Sequence, residues 1–376
     1  MSLPEGPTQR DDASFMGLAL EEARKGEGRT SPNPAVGAIV VRDDGTIVGR
    51  GYHRQAGTPH AEVHALRDAD EQARGATLYV TLEPCNHTGR TGPCTEAVLR
   101  AGIKTVVVGM ADPNPGVTGG GSDYLRSRGV EVRSGVLEAQ CRELNRPFLK
   151  HSTTGLPWVI MKAGLSLDGR ITFRPGQAGA ITGPQAGRYT HGVRNRVDAI
   201  LVGVETVLID NPSLTTRLAG IEGTRDPLRV ILDSNLRLPV SARVLCQHSA
   251  AATWVCCGLS APLDREEALI QAGARVLRLP LDGEGRVDLE AALRVLGRES
   301  VTSVLVEGGA TVHGAFLGRD LVDELLLFYA PIVIGDQGTP LVRGYGVAER
   351  AAAPVMRRFS VQQLEDDFLF RGFFRD

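Results

Sequence analysis

The chain lacks most of the marks of a secreted or membrane protein. Its six cysteines, Cys85, Cys94, Cys141, Cys246, Cys256 and Cys257, are too few and too scattered for a disulfide framework in 376 residues. No run approaches the ~18–20 apolar residues that a membrane helix needs. The opening "MSLPEGPTQR" is polar, with no apolar signal core behind it. These absences set the expectation of a cytoplasmic protein. An excess of one charge is missing too. A net charge of −2 leaves no electrostatic footprint for nucleic acid or an acidic membrane, and there is no aromatic-basic stripe. Internal repeats, low-complexity segments and a strand-turn-helix GxGxxG fingerprint are also lacking.

What is present is ample for two cores: 42% of the residues are hydrophobic and 23% charged. Apolar periodicity predicts the order α-β-β-α-β-α-β-α-β-α up to residue 146, a compact mixed α/β layer. "NRPFLKHSTTGLPW" breaks the pattern with Pro147, Gly155 and Pro157 and is read as a linker, giving domains 1–150 and 151–376. Beyond it, "WVIMKAG", "DAILVG", "LRVILD", "ATWVCC", "ARVLRL" and "VTSVLVEGG" are apolar strands of a largely parallel, buried sheet. "DELLLFYAPIVIG" and "FLFRGFF" read as a long strand and its antiparallel return.

The chemistry concentrates in "HAEVHA" and "EPCNHTGRTGPC". Catalytic zinc takes three protein ligands and a water. His60, Cys85 and Cys94 supply such a set, one ion per chain. His60 and Cys85 each follow a proline at a predicted helix start, where backbone N–H groups favour a thiolate. Two thiolates leave the ion nearly neutral, so a base is needed, and Glu62 is the candidate. His-x-Glu followed by Pro-Cys is the signature of zinc nucleobase deaminases, in which the Glu moves protons and does not bind metal. A competing pairing of His60 with His64, four apart on one helix face, lacks the Glu that "HExxH" needs; His64 is read as structural.

"TSPNPAVGAIVV", "HAEVHAL", "VTLEPCNHTGRTGPC" and "ADPNPGVTG" in series resemble the bifunctional riboflavin-biosynthesis deaminase–reductases, the RibD family. The resemblance continues through "KAGLSLDGRI", "ITGPQA", "TVLIDNPSLTTR" and "VLVEGGATVHGAFL". It implies a cytidine-deaminase-like three-layer α/β/α domain followed by a dihydrofolate-reductase-like α/β domain using NADPH. It also implies deamination of a phosphoribosylated diaminopyrimidinone, then reduction of its ribose to ribityl, with a homo-oligomer as the expected form. By the same resemblance Asn33, His87 and Arg90 contact the deaminase substrate, and Arg194, Leu214, Arg217 and Glu307 the reductase substrate. Gly164, Thr206, Asp210, Ser234, Gly308, Gly309, Ala310 and Thr311 fall to the cofactor, and Lys162 and Asp168 are candidates for proton transfer in reduction.

There is one departure. Family members often carry Ser and Trp two residues apart before "IT", where this chain has Ala178 and Ala180. A stacking face and a hydroxyl contact are missing there. Two rivals follow: a deaminase with a non-catalytic nucleotide-binding module, and a nucleic-acid deaminase, which the balanced charge disfavours.

Overall fold

The structure is a computed structural model and describes residues 11–87, 92–113, 120–177 and 179–375. Arg90 and Ala178 lie outside the described residues. The chain divides into two compact units that meet at Gly155 and Leu156.

The first unit runs α1 (Asp12–Arg24), β1 (Gly37–Val41), β2 (Ile47–Tyr52), α2 (Ala61–Ala69), β3 (Thr77–Leu82), α3 (Cys94–Ala101), β4 (Thr105–Met110), α4 (Gly121–Ser127), β5 (Glu131–Ser134), α5 (Glu138–Leu144) and α6 (Arg146–Thr154). This is the predicted order. Its sheet is β2-β1-β3-β4-β5, with β1 antiparallel to both neighbours and β3, β4 and β5 parallel. Strand β1, "GAIVV", is buried throughout, as an inner strand covered on both faces must be. A Cβ on Gly37 would strike α1 at Ala19 and Ala23. One on Gly51, which pairs with the neighbouring residue Ala38, would strike α2 at Ala61 and Ala65. Successive strand residues point to opposite faces, so α1 and α2 cover the two sides and the unit has three layers.

The predicted linker is mostly helical. Helix α6 fills most of it, because Pro147 sits in the first turn, where its missing N–H costs nothing, and Gly155 ends the helix at φ +71°. The first unit therefore ends at 155, not 150.

The second unit runs β6 (Trp158–Ser166), β7 (Arg170–Thr172), α7 (Pro184–Arg194), β8 (Ala199–Gly203), α8 (Val204–Asp210), β9 (Leu228–Leu232), α9 (Arg243–Cys246), β10 (Thr253–Gly258), α10 (Leu263–Gln271), β11 (Ala274–Leu279), α11 (Leu289–Arg298), β12 (Ser303–Val306), α12 (Ala310–Gly318), β13 (Glu324–Ala330), β14 (Thr339–Pro340), β15 (Arg358–Leu364) and β16 (Asp367–Phe373). Nine strands form the sheet β11-β10-β9-β8-β12-β6-β13-β16-β15, parallel as far as β13. Strand β16 is the expected antiparallel return, and β15, missed in the sequence, adds an exposed edge. Helix α11 shows how the layers are held: Leu289, Ala292, Leu293 and Leu296 make one buried stripe, and Asp288 caps Ala291 N at 2.8 Å. Strands β6, β8, β9 and β12 end on one edge of the sheet, where an open α/β sheet takes its ligand.

Candidate functional site

In the first unit His60, Cys85 and Cys94 converge, with one ligand atom from each within 4.8 Å of the others. His60 Nδ1 lies 3.5 Å from Cys85 Sγ and 3.3 Å from Cys94 Sγ. A tetrahedral zinc site with ordinary Zn–N and Zn–S bonds puts nitrogen and sulfur about 3.6 Å apart, so the donor set fits the ion. Three elements bring the ligands together. His60 is the N-cap of α2, in extended backbone (φ −76°, ψ 170°), so the opposed directions of residues two apart on a helix do not separate it from Glu62. Cys94 is the first residue of α3.

Cys85 is not at a helix start, contrary to expectation; it lies in the loop after β3. The helix end that serves it belongs to α3, for Cys94 N donates to Cys85 Sγ at 3.4 Å. Thr95 pins the loop, its N–H on Cys85 O at 3.2 Å and its hydroxyl on Asn86 Oδ1 at 2.8 Å. The hydrogen bond from the Cys94 thiol, with the His60 ring nearby, holds the Cys85 thiol well below the ordinary thiol range, while Cys94 is pushed well above it. Two sulfurs so close, with the His60 nitrogen beside them, are a donor set that a divalent cation could join.

Glu62 is 3% exposed beside Cys94, and burial pushes its carboxyl above the usual range. Such a carboxyl is suited to hold a proton between two transfers. His64 is not in the cluster, and His87 is exposed. A residue that sequence reasoning missed stands next to Asn33. His53 is buried, its ring meets the His60 ring edge-on at 5.1 Å, and its Nδ1 lies 3.2 Å from Pro59 O. That contact makes Nδ1 the donor, so Nε2 accepts from Asn33 Nδ2 at 3.2 Å. Burial lowers the pKa of His53, in keeping with a neutral ring. The contact with His53 fixes the orientation of the Asn33 amide, leaving Oδ1 and the second N–H to offer a ligand. The only signal in the sequence was a histidine seven residues before a metal ligand.

In the second unit a cavity of about 1260 Å³ opens at the strand ends. Its walls include Lys162, Gly164, Arg194, Arg217 and Glu307, with Thr206, Asp210, Ser234, Gly309, Ala310 and Thr311, all expected from the sequence. Ala180 lines it as well. Leu214 lines a smaller cavity of about 380 Å³, shared with Arg194 and Arg217. Gly308 is not on the wall: a Cβ there would meet Val202 at 2.7 Å, so the residue serves strand packing, and Gly309, at φ +63°, turns the chain into α12. Asp168 is also off the wall. It accepts from Ser166 Oγ at 2.6 Å, Ile334 N at 3.0 Å and Gly335 N at 2.7 Å, bonds that hold its pKa low and tie down a loop. The size and the mixed lining of the main cavity fit a dinucleotide with a small substrate.

Arg194 donates to both oxygens of Glu307, and its Nη1 to Thr215 O at 3.0 Å, so much of its hydrogen-bonding capacity is already used. Arg217 is the freer guanidinium. Burial would raise the Glu307 pKa, but the paired Arg194 prevails and holds it at about 2. Lys162 Nζ lies 4.0 Å from Glu307 Oε2, and burial lowers its pKa. His191 and His313 line the same cavity; neither was singled out in the sequence, although His191 shares a face of α7 with Arg194 three residues on.

The comparisons with known proteins agree with this geometry. Residues 9–110 match the cytidine and deoxycytidylate deaminase zinc-binding region, and residues 157–370 match the RibD C-terminal domain. The chain is 42% identical over 354 residues to the riboflavin biosynthesis protein RibD of Bacillus amyloliquefaciens, covering 94% of each. It belongs to the RibD family. Its Escherichia coli relative is 39% identical over 366 residues, 95% of this chain and 97% of that one. Among solved structures, Acinetobacter baumannii RibD, form 1, matches with a TM-score of 0.86 at 37% identity, over 96% of this chain and 98% of that one. The Thermotoga maritima diaminohydroxyphosphoribosylaminopyrimidine deaminase/5-amino-6-(5-phosphoribosylamino)uracil reductase matches at 0.84, with the same identity and coverage. Like other members of the RibD family, the chain is a bifunctional enzyme of riboflavin biosynthesis, with a zinc-binding deaminase domain ahead of an NADPH-using reductase domain. No helix among the described residues is long and apolar enough to cross a membrane.

Proposed function

We propose that the first unit hydrolyses the 2-amino group of 2,5-diamino-6-(5-phosphoribosylamino)pyrimidin-4(3H)-one, and that the second reduces the ribosyl chain of the resulting 5-amino-6-(5-phosphoribosylamino)uracil to ribityl. The observation that carries this reading is the convergence of His60, Cys85 and Cys94 beside the buried Glu62. Held by His60 Nδ1 and the two sulfurs, zinc supplies a Lewis acid that makes water reactive near neutral pH. Glu62 takes a proton from that water and passes it to the departing ammonia. Asn33, its amide oriented by His53, offers Oδ1 to an N–H of the pyrimidine edge, and His87 and Arg90 meet the substrate's polar groups or phosphate.

When bound in the second unit, NADPH would supply the hydride for reduction at C1 of the sugar. Gly309, Ala310 and Thr311, at the start of α12, would hold the cofactor's phosphates with Thr206. Lys162, its pKa lowered by burial, is placed to give a proton to the sugar oxygen. Glu307 keeps Lys162 and Arg194 in position, and Arg217 takes most of the substrate phosphate. We read the protein as a cytoplasmic homo-oligomer; the exposed edge strand β15, with Phe359 and Val361 facing solvent, supports the assembly.

The test is to give the zinc-loaded chain the diaminopyrimidinone with and without NADPH. Ammonia should appear in both reactions, and one NADPH should be oxidised per ammonia where it is present. Deaminated product that accumulates beside unused NADPH would defeat the reductase half.

A further inference from the structure

Residues 211–227, between α8 and β9, form no helix or strand, yet they carry Leu214 and Arg217. A loop without a ladder has its backbone polar groups satisfied by side chains or by water. Here side chains do it at nearly consecutive positions. Gln247 Nε2 donates to Ser213 O at 2.7 Å, and Arg194 Nη1 donates to Thr215 O at 3.0 Å. Thr216 N donates to Asp226 Oδ1 at 2.7 Å. The next group along, Arg217 N, donates to His191 Nδ1 at 3.2 Å.

Two of these anchors come from one helix face. His191 and Arg194 are three apart on α7, so both reach the same stretch of loop. Both line the main cavity, as does Arg217. Accepting at Nδ1 puts the proton of the neutral His191 ring on Nε2. Burial, with the Arg194 and Arg217 guanidiniums nearby, holds the His191 pKa at about 4, so near neutral pH the ring keeps its lone pair on Nδ1. The Arg217 side chain bonds Thr215 Oγ1 at 3.3 Å, inside the same loop. That bond moves with the loop and cannot anchor it. The direction in which the long Arg217 side chain leaves the loop therefore depends on its backbone, and His191 holds that backbone.

We propose that His191 is a positioning residue for the reduction: by accepting from Arg217 N it fixes the guanidinium that meets the substrate phosphate, without touching the substrate itself. The inference rests on the phosphate reading of Arg217 above, and kinetics can separate the two. The measurement is reduction of the deaminated substrate by the full zinc-loaded chain, with NADPH saturating and near neutral pH. His191→Phe keeps a ring and removes the acceptor. Its KM should rise about fivefold or more, the scale of one lost hydrogen bond, with kcat changed by less than about twofold. His191→Leu carries the same test should the phenylalanine variant be unstable. His191→Asn, whose Oδ1 falls near the place of Nδ1, should return KM to within about twofold of the wild type. Arg217→Ala should raise KM by about tenfold or more, the scale of a lost charge-assisted contact. Adding His191→Phe to it should change KM by less than about twofold further, because the histidine acts through the arginine. NADPH affinity, read by calorimetric titration, should stay within about twofold of the wild type in the His191 variants. A wild-type KM in His191→Phe, no recovery in His191→Asn, full additivity in the double variant, or loss of NADPH affinity alongside KM overturns the assignment. An Arg217→Ala chain with the wild-type KM overturns the phosphate reading itself, and the assignment with it.

Discussion

Arg194 grips Glu307 through two parallel hydrogen bonds, Nε to Oε1 at 2.7 Å and Nη2 to Oε2 at 2.8 Å, with both side chains largely shielded from water. Removing Arg194 leaves the buried Glu307 without its hydrogen-bonded partner and with only Lys162, 4.0 Å away, which costs more than the pair contributes. Arg194→Ala should lower stability by about 3–5 kcal/mol, and adding Glu307→Gln should restore part of it. Urea unfolding followed by tryptophan fluorescence reads this directly, since both tryptophans, Trp158 and Trp254, lie in the second unit. A double variant no more stable than Arg194→Ala would contradict the prediction.

The His53–Asn33 contact predicts a binding defect without a metal defect. His53→Phe keeps a ring against His60 and removes the acceptor that fixes the Asn33 amide. Loss of one neutral hydrogen bond, about 1 kcal/mol, should raise KM for deamination roughly fivefold, with zinc content and kcat little changed. Steady-state kinetics alongside metal analysis would check it, and an unaltered KM would show that Asn33 is oriented by something else.

His313 gives the second unit a pH dependence of known sign. The residue is 2% exposed, its Nδ1 lies 3.2 Å from Leu341 O, and burial holds its pKa at about 4 against an ordinary 6.5. Between those values the unfolded chain binds a proton that the folded chain refuses. Its contribution to stability is whole above pH 6.5, declines as pH falls toward 4 and levels off below, by up to roughly 3 kcal/mol. His191, lowered to about 4 mainly by burial, acts in the same direction. His313→Gln should flatten the slope of unfolding free energy between pH 6.5 and 4; a slope as steep as the wild type's would rule out this source.

Much of the architecture was legible because local signals and burial agree. The apolar runs of β8, β9 and β12 announce a parallel sheet, and the turn at "RDDG" announces the first hairpin. The cluster of His60, Cys85 and Cys94 was legible because residue types and order alone point to that chemistry. What stayed hidden depends on contacts distant in sequence. Strand β15 alternates poorly and is exposed at six of its seven positions, so burial leaves no pattern in it. Pro147 looked like a breaker because its place in a helix's first turn depends on where α6 begins. The structure pairs Cys85 with the end of α3, nine residues on, whereas its own proline suggested a helix at once. Asp168 sat between reductase motifs, yet its oxygens bond the backbone at Ile334 and Gly335, 166 and 167 residues away.

The most direct test of the central claim, two separate chemistries with the first run by a zinc ion and Glu62, is Glu62→Gln in the full chain. The substitution keeps the shape of the side chain and removes its proton-carrying oxygen. Zinc should remain at one per chain, deamination should fall by about 10²-fold or more, and NADPH-dependent reduction of the authentic deaminated substrate should continue at the wild-type rate. Deamination at the native rate would contradict the account, as would loss of reduction together with it.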